Sequence, residues 1–295
     1  MPSPFLTVRQ LPDAPSGWFK HRHAIMDDGR LGVLRIDRDF SGQLPWNQKW
    51  TGEIRALFTL FDGEAEEFVC ELPAFRWPCF DRLSNGDIVV VESRGRDNAH
   101  IFDPGGQRKA LFDVGDGVEH IIVTPDDRIW VGYFDEGIFG TEQLPYGNWP
   151  PPSSGLASFD PSGECVWQAQ TKDIRIDDCY ALGANGEQIW LCPYSDFRIA
   201  SIKNGRVQTW TNDISGARAV AATGHHAILA GGYSPKQNRL ALLALENGNA
   251  KQLREIDLAL GPDAQMIGRN GVLHVIDDTR WRQLSVDHWV NSLTQ

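Results

Sequence analysis

Six copies of one short pattern run the length of the chain, and they limit what it can fold into more than any bulk property does. The copies are "DDGRLGVLRID" from Asp27, "SNGDIVVVES" from Ser84, "PDDRIWVGYF" from Pro125, "NGEQIWLCPY" from Asn185, "TGHHAILAGGY" from Thr223 and "RNGVLHVIDD" from Arg269. Each is a polar turn followed by a short apolar run rich in β-branched residues or Trp, which is a hairpin signal. A further short strand precedes each turn, as in "HIIVT" from His120. Another hairpin follows, often tipped as in "IFDPGGQ", "SFDPSGE" or "SIKNGRV". The unit is therefore four strands, and helical periodicity is almost absent.

The first and last turns are 242 residues apart across five steps, about 48 residues per unit. A four-stranded sheet of that size cannot bury both faces alone and must stack on its neighbours. The expected fold is all-β, a single β-propeller over 1–295 with six four-stranded blades, or seven if a long repeat conceals another. The last repeat has room for three strands, and "FLTVRQL" near the N-terminus is expected to supply the fourth and so protect a sheet edge.

Composition narrows the partners. The 295 residues are 41% hydrophobic and carry a formal charge of −11, with no run of Lys or Arg. Nucleic acid and anionic membranes are thus poor partners, and a small-molecule ligand is the leading expectation, with a protein or peptide next. The start has neither a basic nor a long apolar segment, which predicts a soluble, cytoplasmic protein. Five cysteines with no CxxC pair read as reduced thiols.

The "G-x-I-W-V" strands and "F-D-P-x-G" hairpins resemble the six-bladed propellers of the SMP-30/gluconolactonase, NHL and streptogramin-lyase-like superfamily. The resemblance spans nearly the whole chain and rests on blade motifs. SMP-30-like lactonases, which it brings nearest, hold a central divalent metal with Glu, Asn and Asp. This sequence has "HRHA" and "DDCY" where that Glu and Asn are expected.

In such a fold the loops before the innermost strand and after the second strand crowd one mouth of the central channel, where a ligand is sought. Aligning the repeats puts His21, Pro78, Glu119, Cys179, Arg218 and Pro262 at that rim, or Trp77, His120, Asp178 and Asp263 if the register slips by one. His21 with Glu119, or His120 with Asp178, would form an acid/base pair, and Arg218 would hold an anion. A solvated, merely structural rim stands beside that reading. Glu119, Asp178 and Asp263, with Asp177, also offer oxygen ligands for Ca²⁺ or Mg²⁺; His21, His23 and His120 would suit Zn²⁺. Cys179 reads as a nucleophile or, more simply, as a packed thiol.

The first and third repeats are longer by about 18 residues, through loops at about 38–53 and 134–155. They bring Trp46, Trp50, Phe139, Tyr146 and Trp149, and with Tyr133 and Trp77 these rings are candidate substrate contacts. Packing of the loops onto the blades would explain them equally. The enzymatic reading is a lyase or hydrolase for a small polar or anionic metabolite. The alternative is a binding module for a protein, peptide or carbohydrate.

Overall fold

The computed structural model describes residues 5, 7–40, 53–140, 149–261 and 264–293. Strand β1 is Thr7–Gln10. One sheet follows from β2 (Phe19–Ile25), β3 (Leu31–Ile36), β4 (Arg55–Phe61) and β5 (Glu66–Pro73). A second has β6 (Pro78–Arg82), β7 (Ile88–Glu92), β8 (Ala99–Phe102) and β9 (Arg108–Phe112). A third has β10 (Val118–Val123), β11 (Ile129–Tyr133), β12 (Leu156–Phe159) and β13 (Cys165–Gln168), with the short helix α1 (Asp135–Phe139) after β11. Then come β14 (Ala181–Asn185), β15 (Gln188–Cys192), β16 (Ile199–Lys203) and β17 (Arg206–Trp210). The next sheet is β18 (Ala219–Ala222), β19 (His226–Ala230), β20 (Arg239–Glu246) and β21 (Asn249–Asp257). The last strands are β22 (Gln265–Arg269), β23 (Val272–Ile276) and β24 (Arg280–Ser285), before helix α2 (Val286–Asn291).

The architecture is all-β, built of four-stranded antiparallel arrays, as the repeat predicts. The polar turns between the first two strands of an array use residues that tolerate a left-handed backbone: Gly86 has φ +93 and Asp127 has φ +60. Strands β3 and β11 are buried at every residue, because neighbouring sheets cover both their faces, whereas the outermost β1 and, up to its buried Trp210, β17 alternate between exposed and half-buried positions. Apolar clusters join adjacent arrays. Phe58 and Leu60 pack with Phe80 and Val90, and Ile276 and Trp281 pack with Ile25, Val33 and Phe61. β1 pairs with β24 from Thr7↔Gln283 to Gln10↔Arg280.

One contact departs from simple stacking. The innermost strands β14 and β22 pair in parallel at Gly183↔Gly268 and Ala184↔Arg269, drawing eight strands into one hydrogen-bonded sheet. Glycine at the paired positions lets β18 close against both strands, since a Cβ on Gly268 would lie 1.8 Å from the Val220 carbonyl oxygen and one on Gly183 2.2 Å from it. Rigid backbone on the receiving side leaves little room to relax. Gly268→Ala is therefore expected to lose about 1–3 kcal/mol in chemical denaturation, the usual cost of forced overpacking; an unchanged midpoint would refute the pinch.

Candidate functional site

The innermost strands β2, β6, β10, β14, β18 and β22 surround a cavity of about 90 Å³ whose wall includes Arg22, Asp81, Glu119, His120, Arg218 and Arg269. Its rim is the end where these strands begin. Two β-bulges shape that rim. The β2–β3 register shifts between Lys20 and Arg22, and the β10–β11 register between Val118 and His120, leaving His21 and Glu119 as the extra residues. A bulge twists the strand and re-aims its side chains. In β10 it lets both Glu119 and His120 face the cavity. In β2 it turns His21 toward the link between β5 and β6, where its Nε2 lies 2.7 Å from the Phe75 carbonyl oxygen, and Arg22 lines the cavity instead.

Asp178 and Tyr180 lie just before β14. The backbone oxygen of Asp178 accepts from the N–H groups of Tyr194 at 2.9 Å and Tyr180 at 3.1 Å, which fixes this stretch. Half-buried, the Asp178 carboxyl is pushed up to about 6, first by desolvation and then by the negative Asp135 and Glu119, with Arg218 opposing. The Arg218 guanidinium stands 4.1 Å over the Tyr180 ring. The Tyr233 hydroxyl donates to that of Tyr180 at 3.2 Å, and Tyr194 and Phe197 continue the aromatic wall. Burial, then the bond to Tyr180, raises the Tyr233 phenol to about 12, so it stays a donor at neutral pH. The loop carrying Tyr233 is propped by the buried Arg239, which donates to the carbonyls of Gly231 and Ser215. His120 is held neutral by desolvation, against the pull of Glu119, with Nε2 3.3 Å from the Tyr180 carbonyl oxygen.

Two solved structures overlie nearly the whole chain. One is virginiamycin B lyase from Staphylococcus aureus with quinupristin, 12% identical, TM-score 0.53, covering 94% of this chain and 99% of that one. The other is the PQQ-bound aldose sugar dehydrogenase from Streptomyces coelicolor, 14% identical, TM-score 0.53, covering 95% and 98%. This chain is a β-propeller. At such identities the likeness concerns the fold alone. A profile of the YxzG family matches residues 156–260, about a third of the propeller, from β12 to just past β21. No curated protein matches the chain.

Within the propeller, Glu119, His120, Asp178 and Arg218 gather at one mouth, and electrostatic coupling links Glu119 to His120 and Asp178, and Arg218 to Asp178. His21 does not pair with Glu119 as the sequence suggests; its ring is committed to Phe75. Tyr133 is a further correction. It is fully buried, with its hydroxyl donating 2.6 Å to the Val114 carbonyl oxygen, because β11 is covered on both faces. Trp77 is exposed away from the cavity wall, with the Arg76 guanidinium stacked 4.2 Å over it. Phe139 and Trp149, 67% and 54% exposed, line a separate groove along β13 rather than a lid over the mouth. What the stretch after β11 brings to the mouth is Asp135 at the start of α1.

Cys179 is packed against Gly132, and burial raises its thiol far above the ordinary range, which suits a core residue and not a nucleophile. Trp46, Trp50, Tyr146, Pro262 and Asp263 lie outside the described residues. Of the metal trio, Glu119 and Asp178 share the mouth, but among the described residues no three His, Cys, Asp or Glu side chains are grouped to hold an ion. Among those residues, too, no helix is long and apolar enough to cross a membrane.

The aromatic wall of Tyr180, Tyr194 and Tyr233 is the part of the site that rim alignment missed. Tyr180 immediately follows the aligned Cys179. Tyr194 and Tyr233 end the conserved-length runs "IWLCPY" and "ILAGGY", at the equivalent place after the second strand, which was the available signal.

Proposed function

We propose that this propeller is an enzyme of lyase or hydrolase type that acts on a small polar or anionic molecule at the mouth formed by Asp178, Arg218 and the tyrosines. The six innermost strands are read as six blades, with β1 completing the last one through its pairing with β24. The observation that carries the functional reading is a half-buried carboxyl poised near neutrality beside an exposed guanidinium and phenol donors. Arg218 would anchor an anionic group, Asp178 would take a proton from carbon or water, and the Tyr180 hydroxyl, which accepts from Tyr233 and keeps its own proton to give, would stabilise developing negative charge. The cavity beneath admits only a small group, far short of the several hundred Å³ of a drug-sized site, so most of the substrate would rest on the tyrosine wall.

The test is turnover of a panel of small carboxylates and lactones by wild type, Asp178→Asn and Arg218→Gln. Asp178→Asn is expected to lower kcat by about 100-fold or more. Arg218→Gln is expected to raise KM. The wild-type rate should fall as pH drops through about 6, where Asp178 takes up its proton. Full activity in Asp178→Asn would remove this mechanism.

A second reading is favoured by the groove along β13, where the exposed Phe139 and Trp149 face Trp167. There the chain would bind a carbohydrate or peptide without catalysis, and quenching or enhancement of tryptophan fluorescence by such ligands would support it.

A further inference from the structure

Arg239 opens β20 and is 8% exposed, and among the described residues no carboxylate pairs with it. Its planar fork is spent on backbone instead. Nε donates to the Gly231 carbonyl at 3.2 Å, and Nη2 donates to that carbonyl at 3.1 Å and to the Ser215 carbonyl at 3.0 Å. The two carbonyls belong to different segments, one leading into β18 and the other leaving β19. A lysine ammonium would carry the charge without the fork, so arginine suits a tie between two stretches of chain.

Each tied segment packs against the functional side chain of the other. A Cβ on Gly231, whose φ is +91, would lie 3.2 Å from both Cβ and Cγ of Arg218, and one on Gly216, φ +72, would lie 3.1 Å from Cγ and Cδ2 of Tyr233. Glycine permits this closeness without strain. The backbone at 231 is therefore a stop for the Arg218 stem, and the backbone at 216 a stop for the Tyr233 ring. Past these stops the Arg218 N–H donates 2.7 Å to the Ala230 carbonyl, its guanidinium is set over the Tyr180 ring, and the Tyr233 hydroxyl reaches that of Tyr180. The anion anchor and the tyrosine pair thus share one buried support.

We infer that Arg239 is a positioning residue of this site: without touching the substrate, it sets the spacing between the Arg218 guanidinium and the hydroxyls of Tyr233 and Tyr180. The inference rests on the mouth being the reactive site, where an anchor and a donor displaced by about 1 Å lose much of their effect.

Two variants disturb the tie while keeping its charge. Arg239→Lys removes the fork, and Gly232→Ala displaces it, since a Cβ there would lie 2.7 Å from Nη2. Tyr233 faces Tyr180, Arg218 and Asp178, and burial and the Tyr180 bond, the two largest influences, raise its phenol to about 12. In both folded variants that phenol is expected to titrate lower, toward the ordinary 10.0, as read from tyrosine ring ¹³C signals with Tyr233→Phe for assignment. This readout needs no substrate, and a Tyr233 that titrates alike in wild type and both variants would overturn the proposal. On the carboxylate and lactone panel, Arg239→Lys is expected to raise KM about tenfold, and to add nothing when Arg218→Gln is already present. The same rise in that background would also overturn it. A wild type inert toward the panel would count against the catalytic reading of the mouth, and the titration would still decide on Arg239.

Discussion

Arg269→Met is expected to destabilise the protein by about 3–5 kcal/mol, the range seen when one partner of a buried ion pair is removed. The guanidinium reaches from β22 to Asp81 on β6, to the Val123 carbonyl at the end of β10 and to Asp27 just past β2, so its loss orphans groups on two other innermost strands and in the turn after a third. Asp81 is 2% exposed, and desolvation already pushes it up to about 6 even with Arg269 opposing. Without the cation, Asp81 would have to stay protonated. The loss should therefore be larger at pH 8 than at pH 5, and Arg269→Met combined with Asp81→Asn should recover part of it. Urea denaturation of the single and double variants at both pH values checks this, and a loss below about 1 kcal/mol at pH 8 would show that the Arg269–Asp81 pair is not a stabilising element.

Acid is expected to reveal a second buried group. His274, on β23, accepts a hydrogen bond from Trp281 Nε1 at 3.0 Å, and its ring stacks on that indole. Desolvation lowers it to about 3, against a hydrogen bond with the Arg269 backbone and with a smaller push from the Arg269 charge. Above the ordinary histidine value of 6.5 both folded and unfolded chains leave it neutral. As pH falls below that value the unfolded chain takes up a proton that the folded chain refuses, so this contribution to stability is lost from about 6.5 downward. His23, lowered to about 4 by desolvation, acts in the same direction. Asp81 acts in the opposite one: its folded value is raised, so stability declines as pH rises from the ordinary 3.8 to about 6 and is regained on acidification. The informative quantity is the difference between proteins. Between pH 7 and 4, His274→Gln should lose less stability than wild type by about 3 kcal/mol. Asp81→Asn should lose more. Parallel profiles for wild type and His274→Gln would refute the assignment.

Much of this protein is legible without coordinates because its information is local. The polar turn and apolar run are repeated at near-constant spacing, so the strand order within each array can be read from turn residues such as Gly86 and Asp127. Glu119, His120, Asp178 and Arg218 come to one mouth because each begins or shortly precedes an innermost strand, a position that counting reaches. The same counting goes astray where a single residue is inserted. The bulge at His21 directs its ring to Phe75 and hands the cavity to Arg22, and no period-2 pattern announces a bulge, because its cause lies in the partner strand.

By itself, then, the sequence determined the all-β repeat, the turns and the rim residues, since these follow from short-range backbone preference and from apolar runs that must be covered. Only the tertiary structure decided which side chains meet. Tyr180 and Tyr233 share a hydrogen bond across 53 residues, and Arg269 reaches Asp81 across 188. The Gly183–Gly268 pinch and the direction taken by Phe139 and Trp149 are of the same kind. Such meetings depend on how whole sheets twist and pack against one another, which no window of neighbouring residues contains.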